Sequence, residues 1–269
     1  APLANQLMSS NYNLLSVLQT LLISEHFYDE DNADSSDEIV GGIVKNPIQL
    51  ISQIISVLDI QIPNPEPSIA SIPESPGSGF RVSSTDWTEE QENFFKFYHR
   101  FCHNTFFPGC GMNIFSPDTV AGYPADYQGP DYDRSWFSSN TIVARYKTIE
   151  SLIYGKNRIL GLLTGINGGN YYQGLFVQFS TVDFVANPNY ISNPFDSNIL
   201  VSELVELFFC EIISESRLNY FILTLNDIDP SYWTGAWAQY INNGNIYQVK
   251  IRLDALFTKL INAPEFQLM

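Results

Sequence analysis

Apolar residues recur at helical spacing in several windows of the chain. Leu14, Leu15, Leu18, Leu21 and Leu22 fall on one helical face, and Ile48, Ile51, Ile54, Ile55 and Leu58 on another, with Pro47 suited to a first helical turn. Val249, Leu253, Leu256, Phe257 and Leu260 repeat the pattern near the end. Each face reads as the buried side of a helix rather than a cofactor box. Asp86, with Glu89 three residues on, has the form of a capping box opening a helix from Trp87 to about Thr105. Asn193 and Pro194 play the same starting role for a helix through Leu200, Leu204, Leu207 and Phe208. Two-residue alternation is scarce. Leu175 to Phe179, after Gly168 and Gly169, fits a short strand, a helix or an extended loop equally. The expected class is therefore all-α, mainly helical, with long irregular loops and at most a short strand pair.

Between Gln61 and Thr85 stand Pro63, Pro65, Pro67, Pro73 and Pro76 with Gly77 and Gly79, a composition no helix can continue through. This divides the chain into a helical segment 1–60, a connection 61–85 and a helical unit 86–269. A strap running across one continuous domain 1–269 fits as well.

Composition narrows the function classes. The 269 residues are 45% hydrophobic, enough to bury a core. Thirteen Lys and Arg against 29 Asp and Glu leave a net charge of −16, and the cations are scattered singly. Such a surface repels phosphates, so no nucleic acid partner is expected. No apolar run approaches the length of a membrane span. The start, Ala1-Pro2-Leu3-Ala4-Asn5-Gln6, has neither the initiator Met nor the pattern of a signal peptide, and reads as a fragment of a longer protein.

Candidate chemistry is sparse. Cys210 lies in the apolar run Leu207 to Ile213 and reads as a small buried hydrophobe. Cys102 and Cys110 flank a loop with Pro108 and Gly109, a spacing that permits a disulfide but leaves its geometry open. His99, Cys102, His103 and Cys110 invite a zinc reading, which the missing Cys-x-x-Cys weakens, so no metal is assigned. Asp29, Asp31 and Asp34 belong to an acidic run that reads as a solvated loop before it reads as calcium ligands, since the spacing of a calcium-binding loop is not in register. The glycines at 165, 168 and 169 lack the lysine and hydroxyl of a phosphate loop. There is no Gly-x-Ser-x-Gly elbow, and His26 reads as an anchored helix end rather than a base.

The richest stretch runs Phe115-Ser116-Pro117-Asp118-Thr119-Val120-Ala121-Gly122-Tyr123-Pro124 and continues at Trp136-Phe137-Ser138-Ser139-Asn140-Thr141-Ile142-Val143-Ala144-Arg145. It resembles the bacterial family known as domain of unknown function 1800, whose usual Pro-Pro-x-Val-x-Gly-Trp-Pro is altered here by Asp118 and Tyr123, as in Bacteroidota variants. Ser24 to Tyr28, Val44 to Pro47 and the ending Ala263 to Met269, which reads as a native C-terminus, support the resemblance. It implies a longer exported protein with an N-terminal helical half. It also implies a possible neighbour, a second exported protein of the family known as domain of unknown function 1501. It supplies no activity.

Within this stretch Tyr123, Asp126, Tyr127, Asp131, Asp133, Arg134, Trp136 and Arg145 are the candidate binding residues. Carboxylates beside flat aromatic faces suit sugar recognition, and paired carboxylates can act as acid and base. The same residues also suit an ordered loop whose aromatics fill a core and whose Asp and Arg tie it to the next helix. The structural role is the favoured one. The expectation is thus an exported, non-catalytic scaffold or binding module packing with its N-terminal half and with a second exported protein. The alternative is a carbohydrate-active protein using the cluster 118–136.

Overall fold

The computed structural model describes residues 2–24, 43–60, 98, 102–103, 105–114, 116–117, 119–127, 132–154, 179–210, 212–227 and 229–268. Among them the protein is helical, without a sheet, and it divides into two compact units, Ala1–Ile43 and Val44–Met269. The opening of the expected helix at Asp86, the connection 61–85, the alternation at 175–178, His26, His99, the acidic run 29–38 and the glycines 165–169 lie outside the described residues.

The first unit contains a helical hairpin, α1 (Pro2–Ser9) and α2 (Leu14–Leu22). Asn11 and Tyr12 make the reversal with φ of 54° and 62°, and Asn13 caps α2 by accepting from the Leu15 amide. Gln6 of α1 donates to the Ser16 carbonyl at 3.1 Å and to Thr20 Oγ1 at 2.7 Å. The side of α2 turned to α1 is therefore its Ser16 and Thr20 side. Leu14, Leu15, Leu18, Leu21 and Leu22, expected to be core, are exposed instead. Periodicity located the helix and its apolar stripe correctly, but the hydrogen bonds from Gln6 turn that stripe outward.

The second unit is built around α11 (Tyr247–Ile261), which packs against α6 (Ser139–Tyr154), α7 (Thr181–Ala186), α8 (Ser197–Phe208), α9 (Glu215–Asn226) and α10 (Pro230–Asn243). Val249, Leu253, Leu256, Phe257 and Leu260 are all buried, as their spacing predicts. Phe257 meets Phe184 and Phe208 edge-on, at 5.5 and 5.6 Å between centroids, an arrangement that adds to the ~2–3 kcal/mol of its burial. Asp254 sits on the same helix at 4% exposure. Its carboxylate accepts from Thr181 Oγ1 at 2.7 Å and Lys250 Nζ at 2.6 Å, which fastens the start of α7 to α11.

Helix α3 (Pro47–Val57) begins with Pro47 and a reciprocal cap between Asn46 and Gln49. It buries Leu50, Ile51 and Ile54, with Leu58 just beyond; Ile48 is exposed, because the core-facing stripe runs through Leu50 rather than Ile48. Helix α8 starts later than Asn193. Asn193 closes a turn by accepting from the Phe195 amide, and Asp196 is the cap, accepting from Asn198 and Ile199. Leu200, Leu204 and Phe208 are buried, whereas Leu207 is exposed.

Cys210 is a correction to the sequence-based expectation. It is exposed, because Phe209 leaves α8 in extended conformation and takes the inward position itself, so the next side chain points out.

Candidate functional site

The described residues of the stretch 116–145 make local fastenings, and one of them is a buried cation. Thr119 to Gly122 close a tight turn, with the Gly122 amide donating to the Thr119 carbonyl at 3.1 Å and Thr119 Oγ1 to the Gly122 carbonyl at 2.7 Å. The Tyr123 hydroxyl donates to the Asn113 carbonyl, and its ring lies 5.6 Å from that of Trp136. Trp136 is 5% exposed. Asp126 and Tyr127 stand on the short helix α5 (Pro124–Tyr127), and Asp133 and Arg134 on the 3-10 turn Tyr132–Trp136, with Arg134 exposed. Asp131 lies outside the described residues.

Helix α6 then opens on a reciprocal pair. The Ser138 amide donates to Thr141 Oγ1 at 2.8 Å and the Thr141 amide to Ser138 Oγ at 3.1 Å, while Thr141 Oγ1 also donates to the Trp136 carbonyl at 2.9 Å. This sets the rotation of α6 and with it the inward stripe Arg145, Ile149, Leu152 and Ile153. A guanidinium thus occupies a position where the helical pattern calls for an apolar side chain.

Arg145 has no exposed surface. Nη2 donates to the Lys45 carbonyl at 2.8 Å, Nη1 donates to Gln267 Oε1 at 3.3 Å, and the group lies 5.0 Å from the Phe137 ring centre. Its Nε has no hydrogen-bond partner among the described residues. Both partners belong to a junction between the segment before α3 and the end of the chain. Val44 pairs with Leu268 as an antiparallel bridge, the Lys45 amide donates to the Gln267 carbonyl at 3.0 Å, and Lys45 Nζ donates to the Phe266 carbonyl at 2.6 Å. Gln267 Nε2 donates back to the Ile261 carbonyl at 2.9 Å, joining α12 (Pro264–Gln267) to the end of α11. The arrangement is a clasp holding the second unit's two chain ends to α6.

Cys110 completes it. A turn at Phe107–Gly109, α4, approaches α6 so closely that a Cβ on Gly109 would stand 3.2 Å from Ala144 Cβ, and it sets Cys110 near Arg145. Burial pushes the Cys110 thiol up to about 12 against the opposing pull of Arg145, and burial alone pushes Cys102 to about 12. Burial also lowers the Arg145 pKa, while Cys110 and Tyr146 counter it. Cys102 and Cys110 are free thiols inside the core, not the bridge that the spacing permits. Among the described residues no group of three His, Cys, Asp or Glu could hold a metal ion; Cys102 is buried while its neighbour His103 is exposed.

Of the expected site residues, four have described side chains: Tyr123, Arg134, Trp136 and Arg145. Tyr123 and Trp136 pack on each other, Arg145 faces inward, and Arg134 faces solvent. Lys45, Phe266 and Gln267 are the residues that sequence reasoning did not single out. Their segments belong to the family resemblance, but nothing in the spacing told that they meet.

A family model described as a protein of unknown function, DUF1800, matches residues 1–268. The chain belongs to that family. No curated protein and no solved structure gives a significant match. The DUF1800 match runs through both parts of the clasp, the Lys45 segment and Gln267. No helix among the described residues is long and apolar enough to cross a membrane.

Proposed function

We propose that this DUF1800 chain is a non-catalytic, exported scaffold or binding module whose α1–α2 hairpin takes an apolar polypeptide partner. The observation that carries the reading is the exposed stripe of Leu14, Leu15, Leu18, Leu21 and Leu22. Neither helix of the hairpin has a buried residue, and residues 2–24 include no Asp, Glu, Lys, Arg or His. A leucine face of this size in water is a cost that a docked partner removes, at roughly 25 cal/mol per Å² covered. The partner in this reading is the N-terminal half of the longer protein, with a second exported protein as a further occupant. The burial of Trp136 and Arg145 supports assigning the signature stretch to holding the module together. For the carbohydrate-active alternative, the 5% exposed Trp136 ring supplies no open stacking face.

The test is amide hydrogen exchange over residues 14–22 in this chain and in a form extended before Ala1. Exchange should be fast here and slowed in the longer form, and Leu18→Glu should abolish the slowing. Equal exchange in both forms would remove the N-terminal half as the partner.

A further inference from the structure

The dipeptide Asn-Gly stands in the sequence at Asn167-Gly168 and at Asn243-Gly244. A glycine puts no side chain beside its own backbone nitrogen, so that nitrogen can reach the carboxamide of the asparagine before it. Asn243-Gly244 lies in the described connection between α10 and α11, and Asn242, Asn243, Gly244 and Asn245 are all exposed to water. Asn243 is the last residue of α10. Gly244 follows in the left-handed conformation at φ 72°, where an added Cβ would meet nothing within 4 Å. The carboxamide is already engaged, since Asn243 Oδ1 accepts from the Asn245 amide at 3.0 Å, a donor placed to stabilise charge that develops on that oxygen. The glycine nitrogen is engaged in the opposite sense. Its N–H donates to the Tyr240 carbonyl at 2.8 Å, closing the end of α10, and the Tyr240 ring is held 5.2 Å from that of Trp237.

We propose that Asn243 is a site of self-modification by deamidation, held in check by the hydrogen bond from Gly244 to Tyr240. When the end of α10 frays, that bond is released and the Gly244 nitrogen, its proton lost to solvent, attacks Cγ of Asn243. The N–Cγ bond forms, the Cγ–Nδ2 bond breaks, and ammonia leaves with a proton taken from water, so that a succinimide remains. Water then adds to one of its two carbonyls. Breaking the new N–Cγ bond gives aspartate, and breaking the original peptide bond gives isoaspartate, with the chain running through the former side chain. Water is the co-reactant, and nothing is oxidised or reduced. The neighbouring asparagines are poorer sites. Asn242 is followed by Asn243, and Asn245 by the β-branched Ile246, whose side chains crowd the attacking nitrogen. Either product adds a carboxylate to a chain already at −16 and sets it at the C-terminal end of a helix, where the dipole disfavours it. Modified copies therefore hold the last turn of α10 less tightly.

Peptide mapping by mass spectrometry reads this on the whole chain, aged in mildly alkaline buffer with and without denaturant. Asn243 should gain about 1 Da while Asn242 and Asn245 of the same peptide do not. In the folded chain the gain should be about 5- to 30-fold slower than in denaturant, the slowing that fraying of one helix end imposes. Tyr240→Ala keeps the carbonyl but removes the ring that anchors it, so it should speed the folded reaction and leave the denatured rate alone. Asn243→Gln should abolish the modification, because its longer side chain does not close the same ring. Asn243→Asp, which reproduces one product, should lower the thermal midpoint by about 1–3 °C. A folded rate equal to the denatured one overturns the check by Tyr240. So does a slowing beyond about a thousandfold, which would place the gate in global unfolding. Modification of Asn242 or Asn245 ahead of Asn243 overturns the site itself, and an unchanged midpoint in Asn243→Asp overturns the loosening of α10.

Discussion

Arg145 Nη2 donates to the carbonyl oxygen of Lys45 at 2.8 Å, joining residues one hundred positions apart without any exposed surface on the arginine. The same guanidinium reaches Gln267, so one side chain links α6 to both segments of the clasp. Removing it takes the guanidinium hydrogen bonds away from the Lys45 carbonyl and Gln267 Oε1, both in buried residues. Arg145→Ala should cost about 2–4 kcal/mol in urea unfolding. Arg145→Lys keeps the charge but loses the fork, and should cost nearly as much. A loss below about 0.5 kcal/mol for both would show that the clasp contributes nothing to stability.

The three cysteines should divide by burial. At pH 8 a disulfide-exchange reagent should label Cys210 rapidly in the folded chain, because Cys102 and Cys110 are covered and their thiols are pushed up to about 12. Denaturant should release both. Peptide mapping that finds Cys102 and Cys110 bridged in native material would contradict the free-thiol state.

Arg217 meets Glu265 through two hydrogen bonds, 2.7 and 3.1 Å, tying α9 to α12. Partial burial raises the Glu265 carboxyl, but the Arg217 hydrogen bond, its own backbone amide and the Arg217 charge outweigh that and hold it below the usual carboxylate value. A carboxylate whose folded pKa is lowered contributes stability above its unfolded pKa and loses it as pH falls through the folded value. The contribution should therefore be present at pH 7 and disappear below about pH 4, amounting to under about 1 kcal/mol after solvent screening. Glu265→Gln should flatten that acid limb of the stability curve while leaving the alkaline side alone. An unchanged acid limb in the variant would assign the acid sensitivity to other carboxylates.

Trp136 separates the structural role from glycan binding. Trp136→Ala should lower stability by about 3–5 kcal/mol, since it removes a large ring packed against Tyr123 in the core. A variant that keeps its unfolding midpoint but loses retention on a polysaccharide column would reverse the assignment.

Helix positions were largely legible in the residues, caps less so, since Asp196 rather than Asn193 caps α8. Asn46, Pro47 and Gln49 form the start of α3 through contacts within four positions, and the stripe Val249 to Leu260 becomes the central buried face. Orientation was less legible. Cys210 shows the limit of composition, since an apolar neighbourhood does not say which of two successive extended residues turns inward.

The sequence by itself determined that the chain is helical, acidic and without a strong catalytic motif, because periodicity, capping residues and net charge act within a few residues or sum over all of them. It also marked 116–145 as the stretch to examine. Only the tertiary structure decided that α2 turns its leucines outward, that Trp136 and Arg145 are internal fasteners, and that Lys45 and Gln267 meet on Arg145. Those outcomes depend on which surfaces come together across many tens of residues. A stripe of leucine or a lone arginine looks the same in sequence whether its partner is the core, another segment or water.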